Sequence, residues 1–204
     1  MHVMSRYCSQ CGKSLKACIC QWIHSLASNV ELIILQHPSE AKRPMGTARI
    51  LTLSLPSSHY FEGENFSDHD ELNQLLNEPD VRHFVLYPGE GSIEAQPEMV
   101  SGEGKVRVIL LDGTWKKAFK MWQLSSNLHS LPLLRLPIEL KGNYRIRKAP
   151  SDNALSTVEA GYYILSIMQP ENDFSPLIDA FERMIQFQID QMPAGVFEKN
   201  YRNE

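Results

Sequence analysis

The sequence predicts an α/β protein, a mainly parallel sheet flanked by helices and preceded by a small cysteine knuckle. Three observations carry this prediction. Val106-Arg107-Val108-Ile109-Leu110-Leu111-Asp112 is a β-branched, largely apolar run of strand length. It lacks the alternation of a half-exposed strand, as befits a strand covered on both faces. The chain then turns at Asp112-Gly113-Thr114 into a segment whose Trp115, Ala118, Phe119 and Trp122 recur three and four residues apart, giving one apolar helical face. Strand-like and helix-like segments alternate through the rest of the chain, the pattern of βαβ units.

The cysteines come first. All four fall within the first twenty residues, as Cys8-x-x-Cys11 and Cys18-x-Cys20. Nothing at the N-terminus resembles an apolar signal segment, and no apolar run approaches the roughly 18 residues of a membrane helix. The expected compartment is therefore the cytoplasm, where thiols stay reduced. Two short-spaced thiolate pairs can offer four sulfurs to one zinc ion. Lys13, Ser14 and Lys16 would form the knuckle tip, and His24 is a spare ligand. Free thiols or a redox pair are the alternatives.

Val30–Gln36 is the first strand, stopped by Pro38. His37 at its end is either a ligand-site residue or a loop histidine bonded to the backbone. Residues 41–46 form a basic loop with Lys42 and Arg43. Thr47 is placed to cap a helix running to about Leu55, with Arg49 near its start. Residues 57–79 are acidic and irregular apart from a short helix over 68–76. Residues 82–87 form a second strand. It ends in Pro88-Gly89-Glu90-Gly91-Ser92, a turn that lets a ligand approach the backbone but matches neither phosphate-loop spacing. Residues 94–104 read as a polar connection.

The central strand ends on Asp112, with Thr114 at the helix N-cap position. Open α/β sheets collect ligands at such carboxyl ends. A plain connection, in which Asp112 caps the helix and Trp115 is core, is the alternative. Residues 131–137 give a short strand between prolines. Residues 141–148 are the most basic run, where Tyr144 is able to stack on a base, or else form an exposed edge strand. Leu155 opens an apolar helix to about Met168, and Ser156 with Glu159 has capping-box spacing, which alone accounts for both residues. A last amphipathic helix covers about 175–191, and a polar tail follows.

Composition, 43% apolar and 22% charged, is that of a globular chain with a core. The net charge of −4 conceals an uneven distribution. Residues 61–104 hold eleven acids against Arg82 alone, while residues 105–148 hold ten Lys or Arg against Asp112 and Glu139. Such a basic region suits a polyanion. It also suits a solvated face paired with the acidic segment.

Together, Cys8-x-x-Cys11…Cys18-x-Cys20, His37-Pro38-x-Glu40, Thr47-Ala48, Tyr87-Pro88, Asp112-Gly113-Thr114-Trp115, Arg147-Lys148 and Ser156-Thr157-x-Glu159-Ala160 resemble the DTW-domain family over nearly the whole chain. This family comprises bacterial tRNA-uridine aminocarboxypropyltransferases and is similar to SPOUT-type methyltransferases. The resemblance implies a SPOUT-like sheet with a C-terminal trefoil knot, which no periodicity reveals. It implies transfer of the 3-amino-3-carboxypropyl group of S-adenosylmethionine to N3 of a tRNA uridine, in the variable loop for bacterial relatives, leaving 5′-methylthioadenosine.

The resemblance also implies residue roles. Asp112 would be the base, or would hold the cofactor's amino group. Tyr87, Pro88, Gly89, Leu111, Thr114, Trp115, Leu155, Ser156, Thr157 and Glu159 would enclose the cofactor. Lys42, Arg43, Arg49, Arg145, Arg147 and Lys148 would meet tRNA phosphates. Cys8, Cys11, Cys18 and Cys20 would hold a structural zinc, with no open position for catalysis. The chain would divide into a knuckle (1–25), a catalytic domain (26–192) and a polar tail (193–204). Two other readings remain: a SPOUT-like RNA methyltransferase acting through another carbon of the same sulfonium, and a noncatalytic zinc-knuckle RNA-binding protein.

Overall fold

A computed structural model describes residues 6–138, 140 and 155–193. The elements are β1 (Val30–Gln36), α1 (Pro38–Ala41), α2 (Ala48–Ser54), β2 (His59–Glu62), α3 (Asp70–Leu76), β3 (Val81–Leu86), β4 (Ile93–Glu94), β5 (Lys105–Asp112), α4 (Trp115–Leu124), β6 (Leu133–Arg135), α5 (Thr157–Met168) and α6 (Ser175–Asp190). The strands form one sheet in the order β2-β1-β5-β3-β6-β4, and every adjacent pair is parallel.

The apolar run read as a doubly covered strand is β5, between β1 and β3. Leu32, Ile34, Val108 and Leu110 pack toward Leu51 of α2, Ile164 and Leu165 of α5, and Phe181 of α6. Their sequence neighbours Ile33, Leu35 and Ile109 turn to the opposite face, against Leu72 of α3 and Met121 of α4. The two-residue strand period thus feeds two helical layers from the same strands. Among the described residues, no helix is long and apolar enough to cross a membrane.

Four expectations are corrected. Residues 57–79 are not wholly irregular: His59–Glu62 is a strand whose residues alternate between half-buried and exposed. The polar connection expected over 94–104 starts in the two-residue strand β4 and holds a 3-10 turn over Pro97–Val100. The basic loop after β1 is preceded by one helical turn, α1, with Pro38 at its start. Finally, α4 buries Ala118 and Met121, while Trp115 and Phe119 are 52% and 55% exposed. Periodicity finds an apolar stripe without saying that half of it faces outward.

The basic segment is partly neutralised by the acidic one. Arg107 is buried in β5, with Nε donating to Glu31 at 2.6 Å and the other guanidinium nitrogens to Glu78 at 2.7 Å and the Leu75 carbonyl at 3.0 Å. Lys120 pairs with Glu64 at 2.9 Å. Residues 141–148, Tyr144 among them, lie outside the described residues.

Candidate active site

Register builds the site. Asp112, the last residue of β5, stands opposite Gln36, the last residue of β1. Parallel neighbours in register project to the same face, so the Gln36 amide donates to Asp112 Oδ2 at 2.5 Å. The second carboxylate oxygen accepts the hydroxyl of Thr157, the first residue of α5. Gln36 Oε1 in turn accepts the Tyr60 hydroxyl at 2.6 Å, so β2 joins the network. Burial, then the carboxylates of Glu62 and Asp112, push the Tyr60 hydroxyl above its ordinary pKa, keeping it a donor. Asp112 is only 8% exposed, and the two donors fix the plane of its carboxylate.

This carboxylate borders a cavity of about 620 Å³ at the carboxyl ends of β5, β3 and β6. That volume lies within the range of small-molecule sites. Of the cofactor residues expected from sequence, Tyr87, Pro88, Leu111, Thr114, Trp115, Leu155, Ser156 and Thr157 line it together with Asp112. Gly89 and Glu159 are not part of the lining. Gly89 lies where an added Cβ would meet Leu133 at 2.9 Å, so its missing side chain lets the loop after β3 pack on β6.

Glu159 completes the capping box: Oε2 accepts the Ser156 backbone N–H at 2.7 Å and the Ser156 hydroxyl at 2.6 Å. Thr114 is the N-cap residue of α4, yet its side chain makes no capping bond. Trp115 stands half out of the fold at the cavity wall rather than in the core. His37 has the local role: its Nδ1 accepts the Ser39 backbone N–H at 3.2 Å, while Nε2 meets Glu64 at 3.1 Å.

The sequence reading missed several lining residues, among them Met45, Thr47, Ser92, Ala118, Arg135 and Ile138. Thr47 is the N-cap residue of α2, as its place in the sequence predicts, but its hydroxyl makes no capping bond and instead accepts the Val158 N–H at 3.3 Å, tying α2 to α5. Of the basic residues, Arg43 lines the cavity and Lys42 is exposed beside it. Arg49 is exposed and donates to the Gln10 carbonyl of the knuckle. Arg145, Arg147 and Lys148 lie outside the described residues.

The four cysteines converge, with all sulfurs within 4.8 Å of one another and no disulfide. Cys8 and Cys20 sulfurs are 3.7 Å apart, and Cys11 and Cys18 sulfurs 3.8 Å. A tetrahedron with metal–sulfur bonds of about 2.3 Å has edges of about 3.8 Å. Backbone N–H groups of Cys11 and Gln10 hold the Cys8 thiol down to about 6, whereas burial and the neighbouring sulfurs push Cys20 up to about 12. Four thiols so crowded all ionise only around a cation. His24 is not part of the cluster. The knuckle is also bolted to the cavity wall: Lys13 Nζ donates to the carbonyls of Pro44 at 2.5 Å and Gly46 at 3.3 Å.

Residues 5–189 match the DTW domain. The chain belongs to the DTW-domain family. It is similar to the tRNA-uridine aminocarboxypropyltransferase 2 of Drosophila melanogaster, 28% identical over 191 residues, covering 90% of this chain and 75% of that protein. The protein of the same name from Mus musculus is 27% identical over 200 residues, covering 95% of this chain and 67% of the mouse protein. The tRNA-uridine aminocarboxypropyltransferase A of Arabidopsis thaliana is 23% identical over 217 residues, 92% of this chain and 82% of that protein. No solved structure matches the chain significantly.

Proposed function

We propose that this DTW protein transfers the 3-amino-3-carboxypropyl group of S-adenosylmethionine to N3 of a uridine in tRNA, in the variable loop. The observation that carries this reading is the Asp112 carboxylate. It is fixed by Gln36 and Thr157 at the edge of a ligand-sized cavity, in a chain whose similar relatives bear that enzyme's name.

The sulfonium makes three attached carbons electrophilic, so positioning decides which reacts. Asp112 receives the N3 proton as N3 bonds to Cγ of the methionine moiety. The Cγ–S bond breaks and its electron pair stays on sulfur, leaving neutral 5′-methylthioadenosine. Thr157 and Gln36 keep the carboxylate oriented for that transfer. Tyr87, Pro88, Leu111 and Leu155 supply apolar wall for the adenosine, with Gly89 shaping the loop; Thr114, Trp115, Ser156 and Thr157 close the reacting side, and Glu159 secures the start of α5 that carries the last two.

We assign zinc to the four cysteines, a donor set whose sulfur spacing suits it. Its part is structural, since four protein ligands leave no open position. In this reading residues 1–25 are a knuckle docked on a catalytic unit spanning 26–192, with 193–204 as a tail. We read the catalytic unit as SPOUT-like with a trefoil knot. Support comes from β5 inserted between β1 and β3, and from α5 returning to Asp112 after β6. A thiol cluster without disulfides suits a reducing cytoplasm. The tRNA phosphates fall to Lys42, Arg43, Arg49, Arg145, Arg147 and Lys148. The exposed rings of Trp115 and Phe119 offer stacking surfaces for bases.

The nucleoside left after turnover tests the chemistry. Chromatography of a reaction with tRNA should show 5′-methylthioadenosine. S-adenosylhomocysteine in its place would make the protein a methyltransferase.

A further inference from the structure

The cavity lining contains two cations among the described residues, Arg43 and Arg135, and their surroundings differ. Arg43 Nε lies 3.1 Å from Glu40, a carboxylate that also takes Lys117 at 2.7 Å. Arg135 is half-buried at the carboxyl end of β6 and makes no ion pair among the described residues. Glu94 is its register partner on β4, yet the two do not pair. One guanidinium nitrogen donates to the carbonyl of Ser92, itself a lining residue. A guanidinium carries five N–H donors in a fork that matches a carboxylate. A half-buried cation with no ion pair among the described residues is a prepared anion site.

We propose that Arg135 binds the α-carboxylate of the amino-acid end of S-adenosylmethionine. The proposal rests on the function proposed above and adds to it the residue that orients the transferred arm. The strand order β5-β3-β6 puts two strand spacings, about 10 Å, between the backbones of Asp112 and Arg135. Arg135 therefore reaches the cavity without neutralising Asp112. A carboxylate anchored there and a uracil held at Asp112 place the arm between them, with Cγ toward N3. Arg135 thus helps choose the carbon that reacts, a positioning task.

Calorimetry on the full chain tests this with three ligands: S-adenosylmethionine, its decarboxylated analogue and 5′-methylthioadenosine. A charge-assisted hydrogen bond contributes enough for Arg135→Gln to weaken S-adenosylmethionine binding about 10- to 100-fold. Methylthioadenosine, which lacks the arm, should bind the variant within about twofold of wild type, and this also reports a folded cavity. Wild type should prefer S-adenosylmethionine over the decarboxylated analogue, Arg135→Gln should lose that preference, and Arg135→Lys should keep part of it. Equal losses for S-adenosylmethionine and methylthioadenosine would make Arg135 a support of the pocket and overturn the proposal. An unchanged S-adenosylmethionine affinity would overturn it as well. If wild type binds neither nucleoside, the proposed function itself falls, and this inference with it.

Discussion

Replacing Gln36 by leucine isolates the orientation of Asp112 from its charge. Gln36 is 5% exposed, donates to Asp112 at 2.5 Å and accepts from Tyr60 at 2.6 Å. Leucine is close in volume, so little cavity forms, but both hydrogen bonds go. A hydrogen bond to a charged group is worth about 1.5–3 kcal/mol. Asp112 borders the cavity and Tyr60 is 38% exposed, so water recovers part of that. The net loss should be about 1–2 kcal/mol, read as a lower urea midpoint at unchanged m-value. The same loss of orientation should lower kcat/KM for tRNA modification by about 5- to 30-fold, since each 1.4 kcal/mol is about tenfold. Loss of stability with activity within twofold of wild type would mean that the carboxylate works without its fixed plane, and that Gln36 has no part in orienting it.

Other outcomes follow from the same geometry. Glu31→Gln leaves the buried Arg107 with Glu78 alone and should destabilise the fold by about 2–4 kcal/mol in urea titration. Burial acts to raise the Glu31 pKa, but Arg107 and Lys105 outweigh it and hold the carboxyl below its ordinary 4.5. Its contribution is therefore complete above pH 4.5 and lost as pH falls through the lower folded value, so wild type and variant should converge in stability there. Gly104 has φ of +94°, and an added Cβ would lie 2.4 Å from the Asp80 carbonyl oxygen, which also accepts the Lys105 N–H that opens β5. Gly104→Ala should cost about 2 kcal/mol or more, measured by thermal melting. Metal analysis should find one zinc per chain. Chelation should weaken S-adenosylmethionine binding in calorimetry, because Lys13 of the knuckle braces residues 44–46 at the cavity wall.

What sequence could reveal followed the range of the interaction. Val30–Gln36 and the central strand were legible because continuous apolar runs need no partner to be recognised. Asp112 stood out as a carboxylate at the strand-to-helix turn, and the Ser156–Glu159 capping box is a four-residue pattern that the fold reproduces. His59–Glu62 was invisible because an edge strand of alternating exposure gains its order from backbone pairing with β1, not from apolar content. Gln36 and Tyr60 escaped notice because only the parallel register brings them to Asp112. Arg135 read as one charge in a basic stretch, since nothing local distinguishes a cavity-lining arginine from a solvated one. Trp115 and Phe119 share the helical spacing of core residues, and only the tertiary packing of Ala118 and Met121 shows which side of the stripe is buried.

Mass spectrometry of unmodified tRNA incubated with the protein and S-adenosylmethionine tests directly whether this chain moves the aminocarboxypropyl arm onto tRNA by way of Asp112. A uridine should gain one aminocarboxypropyl group, and Asp112→Asn should lose that gain while still binding S-adenosylmethionine. A methyl gain, or full transfer by Asp112→Asn, would rule out this role for Asp112.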